Sequence, residues 1–379
     1  MDHEKKSAIA EETQTPTWLS RLWNLVKNQW FLIILVTLVI CSSQMQVPGD
    51  QQGLKTSIVQ NLTIAVIFFI NGLAIQIQDL VANIRHWRCH VFIQLMGFFF
   101  TSLTMLGIVL AIASNRALLD PLLLNGLVVL GCLPTALSVN TLMTRKADGN
   151  ATLTLTKSVM GNAIGPFLSS LLVIGYTSLP VWYTKAMPMA VGGLGALLQR
   201  VFVQFGLTLI LPLGFGQLVQ SYFPDLVRML LHDYQLIKLG SISLLVLIWS
   251  GYDSAVASHA FADVEKVQII GVIGICLLVF LLWMLVTMAT SVVFLGRGDA
   301  VAAAFCISTK SPALGIPLVT ILFAGMPAED TAKVYIPLII FQFIQTCLSN
   351  LATLPLRHWR TEAKCQKDSK DMSDSESLA

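Results

Sequence analysis

Charge is scarce in this 379-residue chain: Asp, Glu, Lys and Arg make up 12% of it, about half their share in ordinary soluble proteins. With 55% hydrophobic residues and a mean hydropathy of +0.72, that shortage excludes a soluble globular domain and points to a chain that crosses a bilayer many times. Catalytic and metal signatures are missing as well. The six histidines form no HExxH or CxxC neighbourhood, and no Ser/His/Asp constellation emerges, so the sequence offers no enzyme site, no metal site and no cofactor. The seven cysteines are odd in number, and five of them lie inside apolar segments, which is not a disulfide framework. No basic patch suggests nucleic-acid binding. A cleavable signal is not expected either: the first apolar run starts only at Trp30 and lacks a small-residue cleavage pattern, so it reads as a first span.

What the chain does have is apolar stretches of roughly 18 residues or more. Ten are expected: 30–47, 57–77, 90–113, 121–144, 150–176, 194–220, 236–255, 267–294, 300–323 and 331–355. The expected fold is an all-α membrane protein of ten transmembrane helices. Five form a first repeat (30–176) and five a second (194–355), joined by a connecting loop (177–193). An odd number per set makes the second enter the membrane from the opposite side, an inverted repeat. With the N-terminus cytoplasmic, fifteen of the 24 Lys and Arg fall on the cytoplasmic side, five fall opposite and four lie within spans. This positive-inside asymmetry places both termini in the cytoplasm. The tail 1–29 carries TWLSRLWNLVKNQ (17–29), with Trp18, Leu22 and Val26 on one helical face suited to the membrane surface. The tail 356–379 ends in KDSKDMSDSESLA, whose charge and serine content read as disorder.

Two spans depart from a plain apolar helix, and they hold the fourth place in each set. In span four Gly131 and Pro134 interrupt the run, with Ser138, Asn140 and Thr141 following; in span nine Ser308, Thr309, Lys310 and Ser311 precede Pro312, Gly315 and Pro317. Proline breaks helical bonding and frees main-chain groups that lipid cannot satisfy, so such groups must face protein, water or ligand. Lys310 lies roughly 15 Å from either end of its span at 1.5 Å rise per residue, too deep to reach the surface with ease. In span five Thr154, Lys157, Ser158 and Asn162 recur at helical spacing and share a face. Lys157 lies about two turns from the inner end, where a snorkelling and a ligand-binding role both fit. Asn71, Gln94 and Gln204 are single intramembrane amides that suit interhelical hydrogen bonds. Asp253, at the outer end of span seven, suits a helix cap at the interface.

At these residues the chain resembles the bile-acid/sodium symporter-like superfamily, and within it the seventh solute-carrier branch that includes the fungal plasma-membrane regulator of calcium homeostasis. The resemblance rests on FFINGLAIQIQDL (68–80), VFIQLMGFFF (91–100), GCLPTALSVNTLMTRKADGN (131–150) and STKSPALGIPLVTILFAG (308–325). It implies a panel domain and a core domain, with discontinuous helices four and nine crossing near the midplane. It also implies that Gln94, Ser138, Asn140, Thr154 and Ser158 correspond in polar character to ion ligands of the sodium-coupled relatives. Where those relatives carry an acidic residue and a glutamine before the crossover, this chain has Cys306 and Lys310, which argues against sodium coupling by the usual scheme.

The resemblance further implies a multi-pass solute carrier of the plasma membrane, or of the Golgi as in the animal branch, that restrains cytosolic calcium. Calcium itself fits poorly as cargo, because it wants six to eight oxygens including carboxylates and no acidic residue lies deep in a span. The expected partners are therefore the lipid bilayer and a small anionic solute, held at Lys310 and the half-helix N-termini. Two alternatives stand beside this reading: a sodium-coupled organic-anion symporter, and a non-transporting regulator that engages calcium-uptake machinery.

Overall fold

A computed structural model describes residues 30–74, 87–187, 193–261 and 264–376, and among these every regular element is helical. In chain order the helices are α1 (Trp30–Gln44), α2 (Gly49–Ala74), α3 (Trp87–Ala113), α4 (Pro121–Cys132), α5 (Ser138–Lys146), α6 (Ala151–Thr177), α7 (Gly195–Tyr222), α8 (Pro224–His232), α9 (Leu236–Ala257), α10 (Lys266–Phe294), α11 (Arg297–Ser308), α12 (Pro312–Leu322) and α13 (Ala328–Glu376). Local chemistry sets several starts. Asp120 caps α4, its Oδ1 accepting from the Leu122 amide at 2.7 Å, with Pro121 at the first helical position. Asn150 caps α6 through the Leu153 amide at 3.0 Å. Its Nδ2 donates to Asp299 at 2.8 Å, fastening α6 to the first turn of α11.

Among the described residues eight segments are long and apolar enough to cross a membrane: α2, α3, α6, α7, α9, α10, the α11–α12 pair taken together, and the first part of α13. Two of the ten expected spans are shorter apolar helices, in α1 and α4. Span four is short because the chain leaves the helix at Leu133 and resumes it only at Ser138, around the proline singled out from the sequence. The C-terminal region differs from the expected disordered tail at 356–379, since α13 continues as a helix to Glu376. No Gly or Pro follows Pro355, so nothing in that stretch breaks a helix. The amphipathic segment 17–29 and the motif residues 75–80 lie outside the described residues.

The helices sort into two groups. α2 packs along α7 and α9, and α9 also packs on α1. α3, α4, α5, α6, α10, α11, α12 and α13 form the larger group, in which α4 lies against α3 and α13, and α10 against α11 and α13. Glycines allow the closest approach within the first group. A Cβ at Gly72 would sit 2.3 Å from the Leu213 carbonyl oxygen, and one at Gly216 would sit 2.4 Å from that of Phe69. The backbones of α2 and α7 therefore touch, as small residues permit in membranes. At the centre of the larger group is the α11–α12 segment, whose apolar window is 94% buried by protein against 22% for α7. This placement shields a broken, lysine-bearing span from lipid.

Candidate functional site

The break at 133–137 and the break at 309–311 meet, and the Ser311 amide donates to the Pro134 carbonyl at 2.9 Å. Losing helical bonding exposes main-chain oxygens, and their partners can be named one by one. The carbonyls of five successive residues accept from Ser169 Oγ (Cys132, 2.6 Å), Lys310 Nζ (Leu133, 2.9 Å), the Ser311 amide (Pro134), Asn162 Nδ2 (Thr135, 3.0 Å) and Ser158 Oγ (Ala136, 3.4 Å). Side chains of α6 and the other break thus do the work that helix geometry does elsewhere. Gly165 lets α6 come this close, since a Cβ there would lie 2.7 Å from the Pro134 ring.

Lys310 is 2% exposed, and its ammonium points into the larger group rather than toward a surface. Nζ donates to Thr101 Oγ1 at 2.7 Å, the Gly97 carbonyl at 2.8 Å and the Leu133 carbonyl at 2.9 Å, and lies 5.1 Å from the centre of the Trp283 ring. Gly97 belongs to a π turn, Met96–Phe100, inside α3. Such a turn interrupts the regular helix, and the Gly97 carbonyl also accepts from Thr101 Oγ1 at 2.6 Å. The indole is held in place by its own N–H, which donates to Thr104 Oγ1 at 2.8 Å. With three N–H bonds made, Lys310 has no donor left for a solute anion, which differs from the expectation that it holds one.

Gln345 of α13 secures the second break. Its Oε1 accepts from the Lys310 amide at 2.7 Å and its Nε2 donates to the Lys310 carbonyl at 2.8 Å. The same Nε2 also donates to Gln342 Oε1. Thr309 donates to the Phe305 carbonyl at 2.8 Å and lies beside Asn140 Oδ1 at 2.5 Å; Asn140 Nδ2 in turn reaches Thr135 Oγ1 at 2.5 Å. Ser308 bonds the Ala304 carbonyl at 2.7 Å, and Pro312 occupies the first position of α12.

Ser138, Thr154, Ser158, Asn162, Gln94 and Lys157 lie around this crossing as well. Ser138 opens α5. Thr154 donates to Thr144 Oγ1 at 3.0 Å, and Ser158 Oγ lies 4.0 Å from Cys306 Sγ. Asn162 makes a second bond to the Ser158 carbonyl at 2.6 Å, and half-buried Gln94 donates to the Lys157 carbonyl at 3.4 Å. Lys157 is fully buried, and its Nζ has no hydrogen-bond partner, so it does not snorkel. Gln204 makes the interhelical bond expected of it, to Asn61 at 3.0 Å.

Between the two helix groups lies a cavity of about 570 Å³, lined by residues including Gln52, Gln60, Asn61, Gln204, Thr208, Ser254, Thr320 and Tyr335. Among the described residues its polar lining is carboxamide and hydroxyl, with no charged side chain. Tyr335 Oη and Thr320 Oγ1 lie 2.6 Å apart, with Gln60 Oε1 3.5 Å from Thr320. Beside the cavity Asp253 is buried and paired with Lys55 at 2.5 Å, instead of capping α9 at the interface. It also accepts from the Val47 amide at 3.2 Å and Gln52 Nε2 at 2.9 Å.

Sequence reading missed Thr101, Ser169, Trp283 and Gln345, and the pairing of Lys55 with Asp253. For Gln342, Gln345 and Ser349 on one face of span ten a signal existed: buried polar residues at helical spacing in an apolar run.

Comparison with known proteins places the chain in a transporter family. Residues 29–358 match a family model described as the SBF-like CPA transporter family. The chain is 28% identical to the solute carrier RCH1 of Candida albicans, over 94% of this chain and 95% of that protein. It is 28% identical to the solute carrier RCH1 of Saccharomyces cerevisiae (90% and 86% covered), and 27% identical to the sodium/bile acid cotransporter 7 of Rattus norvegicus (89% and 95% covered).

Proposed function

We propose that this chain, which belongs to the SBF-like CPA transporter family, carries a small anionic solute across the membrane and thereby restrains cytosolic calcium indirectly. The reading includes ten membrane segments in two inverted sets, with α1 and α4–α5 completing the eight longer spans. It also includes cytoplasmic termini, from the distribution of Lys and Arg, and residence in the plasma membrane, from the resemblance to the fungal branch. The observation that carries it is the meeting of two broken spans at Ser311 and Pro134, flanked by a polar cavity between two helix groups. Interrupted helices at a midplane crossing are how many secondary transporters build a substrate site.

Because Lys310 is fully engaged, the solute's oxygens are received by amide and hydroxyl donors such as Gln60, Asn61, Gln204 and Tyr335. The half-helices α5 and α12 begin at the crossing and add the positive ends of their dipoles. Cargo calcium is disfavoured, since the buried carboxylate beside the cavity, Asp253, is already neutralised by Lys55.

The test is flux into proteoliposomes containing the purified protein, across a panel of labelled organic anions, alongside calcium influx in cells lacking the protein. Saturable uptake that Tyr335→Phe and Gln60→Leu weaken, with calcium influx rising in parallel, supports the carrier reading. Calcium control that survives in a variant without flux would replace it with a regulator that transports nothing.

A further inference from the structure

Lys310 has the surroundings of a bound metal cation rather than of a surface lysine. Two of its three oxygen partners are main-chain carbonyls at structural interruptions, Gly97 within the π turn of α3 and Leu133 in the break after α4; the third is the Thr101 hydroxyl. Carbonyl rings of this kind replace the hydration shell of alkali ions in membrane proteins. The three oxygens within 2.9 Å take the three N–H bonds of an ammonium, the Thr101 hydroxyl donating in turn to the Gly97 carbonyl at 2.6 Å or the Gly131 carbonyl at 3.1 Å. The Trp283 face completes the shell with the negative side of its quadrupole.

The residues that the resemblance places in a sodium site do not fit that ion here. Cys306 supplies a thiol where a carboxylate would be needed, and Asn140 Oδ1, Thr154 Oγ1 and Ser158 Oγ are each within bonding distance of protein groups. A second buried lysine, Lys157, lies one residue from Ser158. Among the described residues the ion pairs are Lys55–Asp253, Arg228–Asp225, Lys333–Glu329 and His358–Glu362, so neither lysine is offset by a carboxylate. A metal cation entering this crossing would meet uncompensated positive charge in a low-dielectric interior, the least favourable arrangement for it.

We infer that the Lys310 ammonium is a tethered stand-in for a coupling cation, held by Gly97, Thr101, Leu133 and Trp283, and that the protein works without sodium. The breaks are thereby stabilised by a cation that is part of the chain. This deepens the carrier reading and rests on it, but the test reads cation binding and so fails separately from transport.

The full-length protein in nanodiscs is heated in sodium chloride and in choline chloride at equal ionic strength. The wild-type unfolding midpoint should be the same in both. Lys310→Ala, which leaves the three oxygens facing an emptied volume, should unfold at lower temperature in choline. It should recover saturably, by about 2 °C or more, with sodium or propylammonium. Saturable stabilisation of the wild type by sodium would overturn the inference. So would a folded Lys310→Ala protein that no cation stabilises. Should that variant fail to fold, the wild-type sodium titration decides alone: a flat response supports the inference and a saturable one refutes it.

Discussion

Replacing Gln345 by leucine isolates the energetics of the second break, because the two side chains are similar in volume and the substitution opens little cavity. What is lost is specific. The Lys310 amide and carbonyl each have the Gln345 carboxamide as partner, at 2.7 and 2.8 Å, in a residue 2% exposed. Water cannot replace these bonds without opening the crossing, so each group bears its own desolvation penalty of about 1–3 kcal/mol, giving about 2–6 kcal/mol together. The small gain from burying two more apolar carbons works in the opposite direction but amounts to about 1 kcal/mol, so the loss dominates. The check is the equilibrium unfolding of purified Gln345→Leu against wild type in the same detergent. Thr290→Val serves as control, since Thr290 bonds only carbonyls of its own helix. A Gln345→Leu protein within about 0.5 kcal/mol of wild type, the range of ordinary surface substitutions, would refute the claim that this carboxamide holds the break.

Further outcomes follow from other contacts. Asp253→Asn and Lys55→Met should each cost about 3–5 kcal/mol by leaving a buried charge without its partner, and the double variant should cost less than their sum; a double-mutant cycle in the unfolding midpoint measures this. Gly72→Val should lower yield and stability by about 1–3 kcal/mol or more, because its Cβ meets the Leu213 carbonyl; Gly175→Ala, with open space around it, should not. Gln60→Leu should raise the KM for solute about tenfold, the equivalent of one hydrogen bond, with the unfolding midpoint unchanged; the readout is concentration-dependent uptake.

Much of the crossing is legible in the sequence because prolines and polar residues inside apolar runs are rare, and each one has to be accounted for by a partner. Pro134, Asn140, Asn162, Ser308–Ser311 and Pro312 stand out on those grounds, and the structure brings them to one place. What the sequence does not disclose is pairing. Lys55 and Asp253 are 198 residues apart, and nothing local in either segment announces the other. Thr101 and Ser169 resemble any small hydroxyl residue of a membrane helix; only the break shows which carbonyls they serve. The length of span four is likewise a tertiary matter, since composition marks the proline but not how many residues stay out of the helix around it. The helical continuation of α13 to Glu376 is compatible with its residues yet is not implied by their charge.

The distribution of hydrogen bonds separates two roles that polar residues in a membrane protein can play. At the crossing nearly every such group is engaged by another: five successive carbonyls have donors, Lys310 has three acceptors, and Gln345 spans the break. Groups bonded in this way hold backbone in place and have little capacity left for a solute. In the cavity, by contrast, Gln60, Asn61, Gln204 and Tyr335 face about 570 Å³ of open space; Gln204 bonds Asn61 within the first helix group, Tyr335 bonds Thr320 within the larger one, and Thr320 reaches Gln60 across the boundary. On the proposed carrier reading, recognition of a solute and support of the broken helices fall to different residues, and substitutions at the two places should separate affinity from stability. In that proposal Lys310, conspicuous by its charge, belongs with the support, and the uncharged amides beside the cavity meet the solute.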